Sequence, residues 1–149
     1  MGYKYKLVSV YIKSNDDLII IPNGISKKWG GATCELDIYH VLEQGYSDVS
    51  VESYLLRAFD EWNVVEPSEK LRPSNIEKIL KIRGYAKAIQ SMKYISVEWY
   101  SDGGYKIVPY ENSGKNGFYC LEEDTICIGK TIQDGNLVQA FREAVKLCN

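Results

Sequence analysis

Ser9 to Pro22 reads SVYIKSNDDLIIIP, and Ser96 to Pro109 reads SVEWYSDGGYKIVP. Aligned without a gap, they share Ser9/Ser96, Val10/Val97, Ser14/Ser101, Ile20/Ile107 and Pro22/Pro109. Downstream, LLRAFDE (Leu55 to Glu61) matches LVQAFRE (Leu137 to Glu143) at four of seven positions, in the same order. Two matches in register predict a chain written twice, each half burying its apolar face against the other. The expected fold class is α+β: two pseudo-repeated antiparallel β-strand units, each closed by an α-helix and joined by a short helical linker. One domain is expected over 1–149, with halves at about 1–65 and 93–149 and the linker at about 66–92.

Local patterns fill in this plan. Val8, Val10 and Ile12 share one face of a first strand at period two. Ser14-Asn15-Asp16-Asp17 makes a turn, and Leu18 to Ile21 returns as an apolar strand stopped by Pro22. In the second half Ile95, Val97 and Trp99 take the same face, Asp102-Gly103-Gly104 turns, and Tyr105 to Val108 returns to Pro109. Weaker strands are expected at Cys34 to Leu42, Phe118 to Cys120 and Thr125 to Ile128. Ser50 is the expected N-cap of a helix carrying Val51, Tyr54, Leu55, Ala58 and Trp62. Asp134 is the expected N-cap of its twin, with Leu137, Ala140, Phe141, Ala144, Val145 and Cys148 on one stripe. In the linker, Ser74 and Glu77 form a capping box, Gly84 ends the short helix, and Tyr85 to Met92 is helical again.

The composition is that of a globular protein: 149 residues, 45 % apolar, 26 % charged. No apolar run approaches the ~20 residues of a membrane span, and the start, MGYKYKLVSV, lacks a signal peptide's apolar core. The expected location is cytoplasmic, without a membrane partner. Four scattered cysteines (Cys34, Cys120, Cys127, Cys148) and one histidine, His40, form no disulfide framework and no metal set. The expected state is reduced and mostly buried thiols, with Cys127 and Cys148 in the core. The net charge of −2 conceals an asymmetry. From Lys70 to Lys93, seven basic residues stand against Glu77 alone, which leaves −8 on the rest. A solvated helix face is the commonest origin of such a segment.

A search for catalytic chemistry finds none. His40 has no nucleophile beside it in sequence, and the carboxylates occur as neighbours (Asp16/Asp17, Asp60/Glu61, Glu122-Glu123-Asp124) rather than as spaced pairs. The loop NSGKNG (Asn112 to Gly117) does not match a phosphate cradle. The expectation is a protein that is not an enzyme, with no catalytic residue, cofactor or metal. Twelve tyrosines are more suggestive, with Tyr100, Tyr105, Tyr110 and Tyr119 clustered near Trp99. Tyrosine suits recognition surfaces, although sheets favour it in any case.

The run IRGYAKAIQSMKYISVEW (Ile82 to Trp99), the stretch GGYKIVPYENSGKNGFYCL (Gly103 to Leu121), the strand at Thr125 to Ile128 and the helix LVQAFREAVKLC together resemble the contact-dependent growth inhibition immunity protein (CdiI) family. The opening YIKSNDDLIIIP fits more loosely, and Ala32 to Ser47 carry no part of it; about two-thirds of the chain is covered. The resemblance implies a small cytoplasmic immunity protein that binds the C-terminal toxin domain of a contact-dependent inhibition effector, one to one. Such a protein blocks the toxin's active site or its access to substrate, and many such toxins are nucleases. No catalytic or contact residue carries over, since members bind different partners. Physically, an acidic body steers a basic toxin, and subnanomolar binding needs more than ~12 kcal/mol, hence a desolvated aromatic centre. The toxin-binding candidates are therefore Tyr110, Tyr119, Glu122, Glu123 and Asp124.

A second class is a single-stranded nucleic-acid binder with a Whirly-like duplicated fold, to which the basic linker and the tyrosines are suited. Nucleic acid is disfavoured as a partner: that family's lysine-glycine-lysine-alanine motif is missing and the isoelectric point is near 5.5.

Overall fold

Alternation at period two sets the strands, and their shared register builds the sheet. The computed structural model describes residues 4–68 and 73–149, so Lys70 and Arg72 of the basic segment, and the Met1-Gly2 start, lie outside the described residues. The first half contains β1 (Tyr5–Ile12), β2 (Leu18–Ser26), β3 (Ala32–Glu35), β4 (His40–Leu42) and helix α1 (Asp48–Asp60). Two short helices follow, α2 (Asn75–Leu80) and α3 (Tyr85–Ala88). The second half contains β5 (Lys93–Tyr100), β6 (Gly104–Asn112), β7 (Phe118–Cys120), β8 (Ile126–Gly129) and helix α4 (Asn136–Leu147). No helix among the described residues is long and apolar enough to cross a membrane.

The sheet runs β3-β2-β1-β5-β6-β7, with β4 also on β2 and β8 also on β6. At its centre β1 and β5 pair antiparallel, so that Val8 meets Val97, Ser9 meets Ser96 and Val10 meets Ile95. The two hairpins share a register: Val8 opposes Pro22 as Ile95 opposes Pro109, and Val10 opposes Ile20 as Val97 opposes Ile107. One sheet face carries Val8, Val10, Ile12, Leu18, Ile20, Ile95, Val97 and Ile107 against α1 and α4. Each such side chain, fully buried, contributes ~1.5–3 kcal/mol, which makes this face the main stabilising layer. The opposite face holds Tyr11, Ile19 and Ile21 under the linker helices, packed on Ile76, Ala88, Ile89 and Met92.

Several local expectations are corrected. Pro22 and Pro109 do not end their strands, which continue to Ser26 and Asn112. Residues 18–20 of β2 pair with β4 and residues 23–26 with β3, so Pro22 falls in the gap between two outer partners. Pro109 lies in the matching gap between β8 and β7. A missing N–H is harmless where no neighbouring strand accepts it. Both proline carbonyls still accept, from Leu36 N at 2.9 Å and Leu121 N at 3.0 Å. The N-cap of α1 is Ser47, whose side chain accepts from Ser50 N; Ser50 is already inside the helix. Trp62 lies beyond the helix end yet is buried. Lys81, at φ 58°, ends α2, and Gly84 instead begins α3, which is only one turn. The Ser74/Glu77 capping box forms in both directions. Cys127 is exposed, because the alternation of TICI turns Ile126 and Ile128 toward the core and the thiol away. Cys120 is exposed too; Cys148 is buried as expected.

Asp134 does not cap α4. Its N-cap is Gly135, which has no side chain to offer. The carboxylate of Glu52 on α1 crosses over instead, accepting from Gly135 N at 2.8 Å, Leu137 N at 3.0 Å and Val138 N at 3.1 Å. An anion at a helix N-terminus satisfies orphan donors and the helix dipole together. Glu52→Ala is expected to lower stability by about 1–2 kcal/mol in urea unfolding; an unchanged midpoint would contradict the cross-cap. Gly104 opens β6 at φ +83°, and a Cβ there would lie 2.1 Å from the Gly129 carbonyl oxygen. Gly104→Ala should therefore cost several kcal/mol, through backbone strain and a clash with backbone that cannot rotate away. Soluble expression at wild-type melting temperature would refute this.

Candidate functional site

The second sheet face is half covered. Beyond the linker helices it presents Tyr5 and Leu7 from β1, Ser96, Glu98 and Tyr100 from β5, and Lys106 and Tyr110 from β6. All except buried Ser96 are partly exposed. This ordering follows from alternation alone: residues whose neighbours in sequence fill the helix-covered core must point here. Tyr5 packs on Tyr100 with ring centroids 4.9 Å apart, and Tyr94 meets Tyr110 at 4.7 Å in a T-shaped pair.

Hydroxyls and carboxylates tie these rings together. Ser96 Oγ donates to Glu98 Oε2 at 2.7 Å, and Tyr100 Oη donates to Glu98 Oε1 at 2.7 Å. At the seam, Ser9 Oγ accepts from Tyr94 Oη and from Asn23 Nδ2, each at 3.0 Å. Deeper, Tyr11 Oη donates to Glu35 Oε2 at 2.6 Å. Burial pushes the Tyr100 hydroxyl up to about 12, helped by the hydrogen bond to Glu98 and its charge. Burial likewise raises Tyr94 and Tyr110. These hydroxyls therefore stay protonated at neutral pH and act as donors.

Of the sequence candidates, Tyr110 lies on this face. Tyr119, on β7, does not share it: Tyr110 pairs with Cys120, whereas Tyr119 pairs with Glu111 and points the other way, 53 % exposed. Glu122–Asp124 form an exposed 3-10 turn directly after β7. Glu122 is near enough to help raise the Cys120 thiol, after burial and ahead of Glu98, so the acidic turn borders the tyrosine face. Tyr105 sits on the helix side, edge-on to Phe59 at 5.5 Å, and leaves the proposed cluster. His40 Nε2 lies 2.6 Å from Glu61 Oε1, with the ring beside Tyr54, in a part-buried contact on the opposite side of the sheet. Among the described residues no group of three or more His, Cys, Asp or Glu could hold a metal.

No family model matches the chain, and no curated protein matches it. Solved structures that share the fold include two that match over essentially the whole chain. A protein of unknown function from Neisseria meningitidis is similar with a TM-score of 0.75 over 100 % of both chains at 12 % identity. A chain of the CdiA-CT/CdiI toxin and immunity complex from Yersinia pseudotuberculosis is similar with a TM-score of 0.72 over 99 % of both chains at 14 % identity.

Sequence reading missed Glu35 and Glu98. Neither belongs to a charge run, and only strand pairing brings Glu35 beside Asn23 and Glu98 beside Tyr5 and Tyr110. One signal was available: Glu98 is the charged member of an alternating set whose other members are Tyr94, Ser96 and Tyr100. Burial raises the Glu35 carboxyl above its ordinary range, against hydrogen bonds from Tyr11, Ser9 and Asn75 that lower it. A raised folded value means that its contribution to stability is complete below the ordinary carboxylate range. That contribution is lost as pH rises through the folded value. The stability of Glu35→Gln relative to wild type should therefore increase from acid to neutral pH in parallel unfolding curves. A difference constant across that range would show that Glu35 ionises normally in the fold.

Proposed function

We propose that this protein is an immunity protein, one that binds and neutralises the toxin domain of a contact-dependent growth inhibition effector. The observation that carries the reading is the fold likeness, over essentially the whole of both chains, to a chain of a toxin and immunity complex. The surface supports it. Tyrosines at the rim of an acidic turn supply what a tight interface needs, apolar area with polar tips inside a charged border. The toxin is a nuclease in this reading, bound one to one in the cytoplasm, and its active site or substrate path is blocked. The protein itself performs no catalysis.

The proposed contact region is the β7 edge. A partner seated over it reaches Tyr110 and Cys120 on one side, Tyr119 on the other, and Glu122, Glu123 and Asp124 at the end. Exposed charges act on encounter, so reversing all three acidic residues should chiefly slow association and change its salt dependence. Tyr119→Ala should instead speed dissociation, by ~1–3 kcal/mol as an anchor. The measurement is growth of cells expressing the toxin domain encoded beside this gene, together with each variant, alongside association and dissociation rates. Full protection by a variant carrying all four changes would move the interface away from β7. Failure of the wild type to protect would sink the immunity reading itself.

A further inference from the structure

Glu98 is held in an unusual setting for a carboxylate in the middle of a sheet. Each oxygen accepts one hydroxyl proton at 2.7 Å, from Ser96 and from Tyr100, so the group is fixed in orientation. Its charge is felt by Tyr5, Tyr100, Tyr110 and Cys120, which ring it on β1, β5, β6 and β7. Among the described residues it has no ion-pair partner. Lys106 lies directly across in register, yet its ammonium sits over the Tyr100 ring, 4.9 Å from the centroid. The other carboxylate of this face, Glu35, is enclosed by Tyr11, Ser9 and Asn75. On the Glu98 side, the neighbouring Cys120 and Cys127 are both exposed.

We infer that Glu98, with Tyr100 and Tyr110, is a guanidinium receptor, and that its occupant is an arginine side chain presented by the toxin domain. A carboxylate oxygen retains a free lone pair after accepting one hydrogen bond, so both oxygens of Glu98 can still accept. A guanidinium fork meets two such oxygens at once, and its flat face stacks on a tyrosine ring. Lysine offers a point charge and cannot fork and stack together. That a cation already rests on the Tyr100 ring shows that this ring accepts one. Lys106 then acts as a resident competitor, a positive charge that a bound arginine must push aside. The identity of the partner rests on the immunity reading; the chemistry of the receptor does not.

The test is an NMR titration of the full chain with N-acetyl-arginine amide, with N-acetyl-lysine amide as the control. The arginine probe should saturate shifts at Ser96, Glu98, Tyr100 and Tyr110, and bind several-fold more tightly than the lysine probe. Glu98→Gln should weaken the arginine probe at least about 10-fold. Lys106→Met should strengthen it a few-fold, an opposite sign that a merely structural Glu98 would not produce and that still decides the matter if Glu98→Gln misfolds. Equal binding of the two probes, or arginine shifts insensitive to both substitutions, would overturn the receptor. A second arm measures dissociation of the neighbouring gene's toxin domain, which should be at least about 10-fold faster from Glu98→Gln. An unchanged rate would remove the toxin as the source of the arginine while leaving the immunity reading intact. A wild-type protein that binds the arginine probe but not the toxin would sink that reading and keep the receptor.

Discussion

The antiparallel seam between β1 and β5 is the constraint on which the rest of the molecule depends. It joins two hairpins far apart in sequence, and it fixes register through Val8, Val10, Ile95 and Val97, all fully buried on the helix side. A slip of one residue would turn those side chains to the other face and bring Ser9 and Ser96 into the apolar core. In the native register the two serines face each other and are both buried, on the side where hydroxyl partners exist. Ser9 accepts from Tyr94 and Asn23, and Ser96 donates to Glu98. The apolar seam thus stabilises the fold, while its polar underside organises the tyrosine and glutamate face. The cross-cap from Glu52 to α4 adds a second link between the halves, now at the level of the helices.

Much of the fold was legible because short-range rules and tertiary packing agreed. The period-two pattern in Val8, Val10, Ile12 and in Ile95, Val97 placed both hairpins and their core face. What was misread had causes outside the segment concerned. Pro22 ends a strand in isolation, and only the handover from β4 to β3 makes it harmless. Asp134 is a good capping residue by type, but the carboxylate of Glu52 occupies that position. In TICI the alternation was seen and its phase was not, because the two isoleucines flanking Cys127 outweigh one thiol for core space.

The candidate site was less legible. Tyr110 and the turn at Glu122, Glu123 and Asp124 could be picked out as tyrosine beside acidic residues, and they do lie at one border of the face. Tyr119 lies nearby but on the opposite side of β7, a distinction that requires the β6–β7 register. Glu35 and Glu98 could not be found from spacing, since what distinguishes them is their hydroxyl donors and cross-strand neighbours. A surface made by four strands from both halves leaves no contiguous motif. On this face hydroxyl donors hold one carboxylate in place, and tyrosine rings lie at its edge.

In the proposed reading, a toxin domain is bound at the tyrosine and acidic border of β6 and β7. The chain's own thiols measure it. Cys120 lies on that border and Cys34 on β3, at the opposite edge of the sheet, and neither is buried. Iodoacetamide labelling, compared between the free protein and the protein mixed with the proposed partner toxin domain, reads both positions in one experiment. The toxin domain is expected to slow labelling of Cys120 and to leave the rate at Cys34 unchanged. Unchanged labelling of Cys120, with Cys34 protected in the same complex, would place the toxin at the far edge and contradict it.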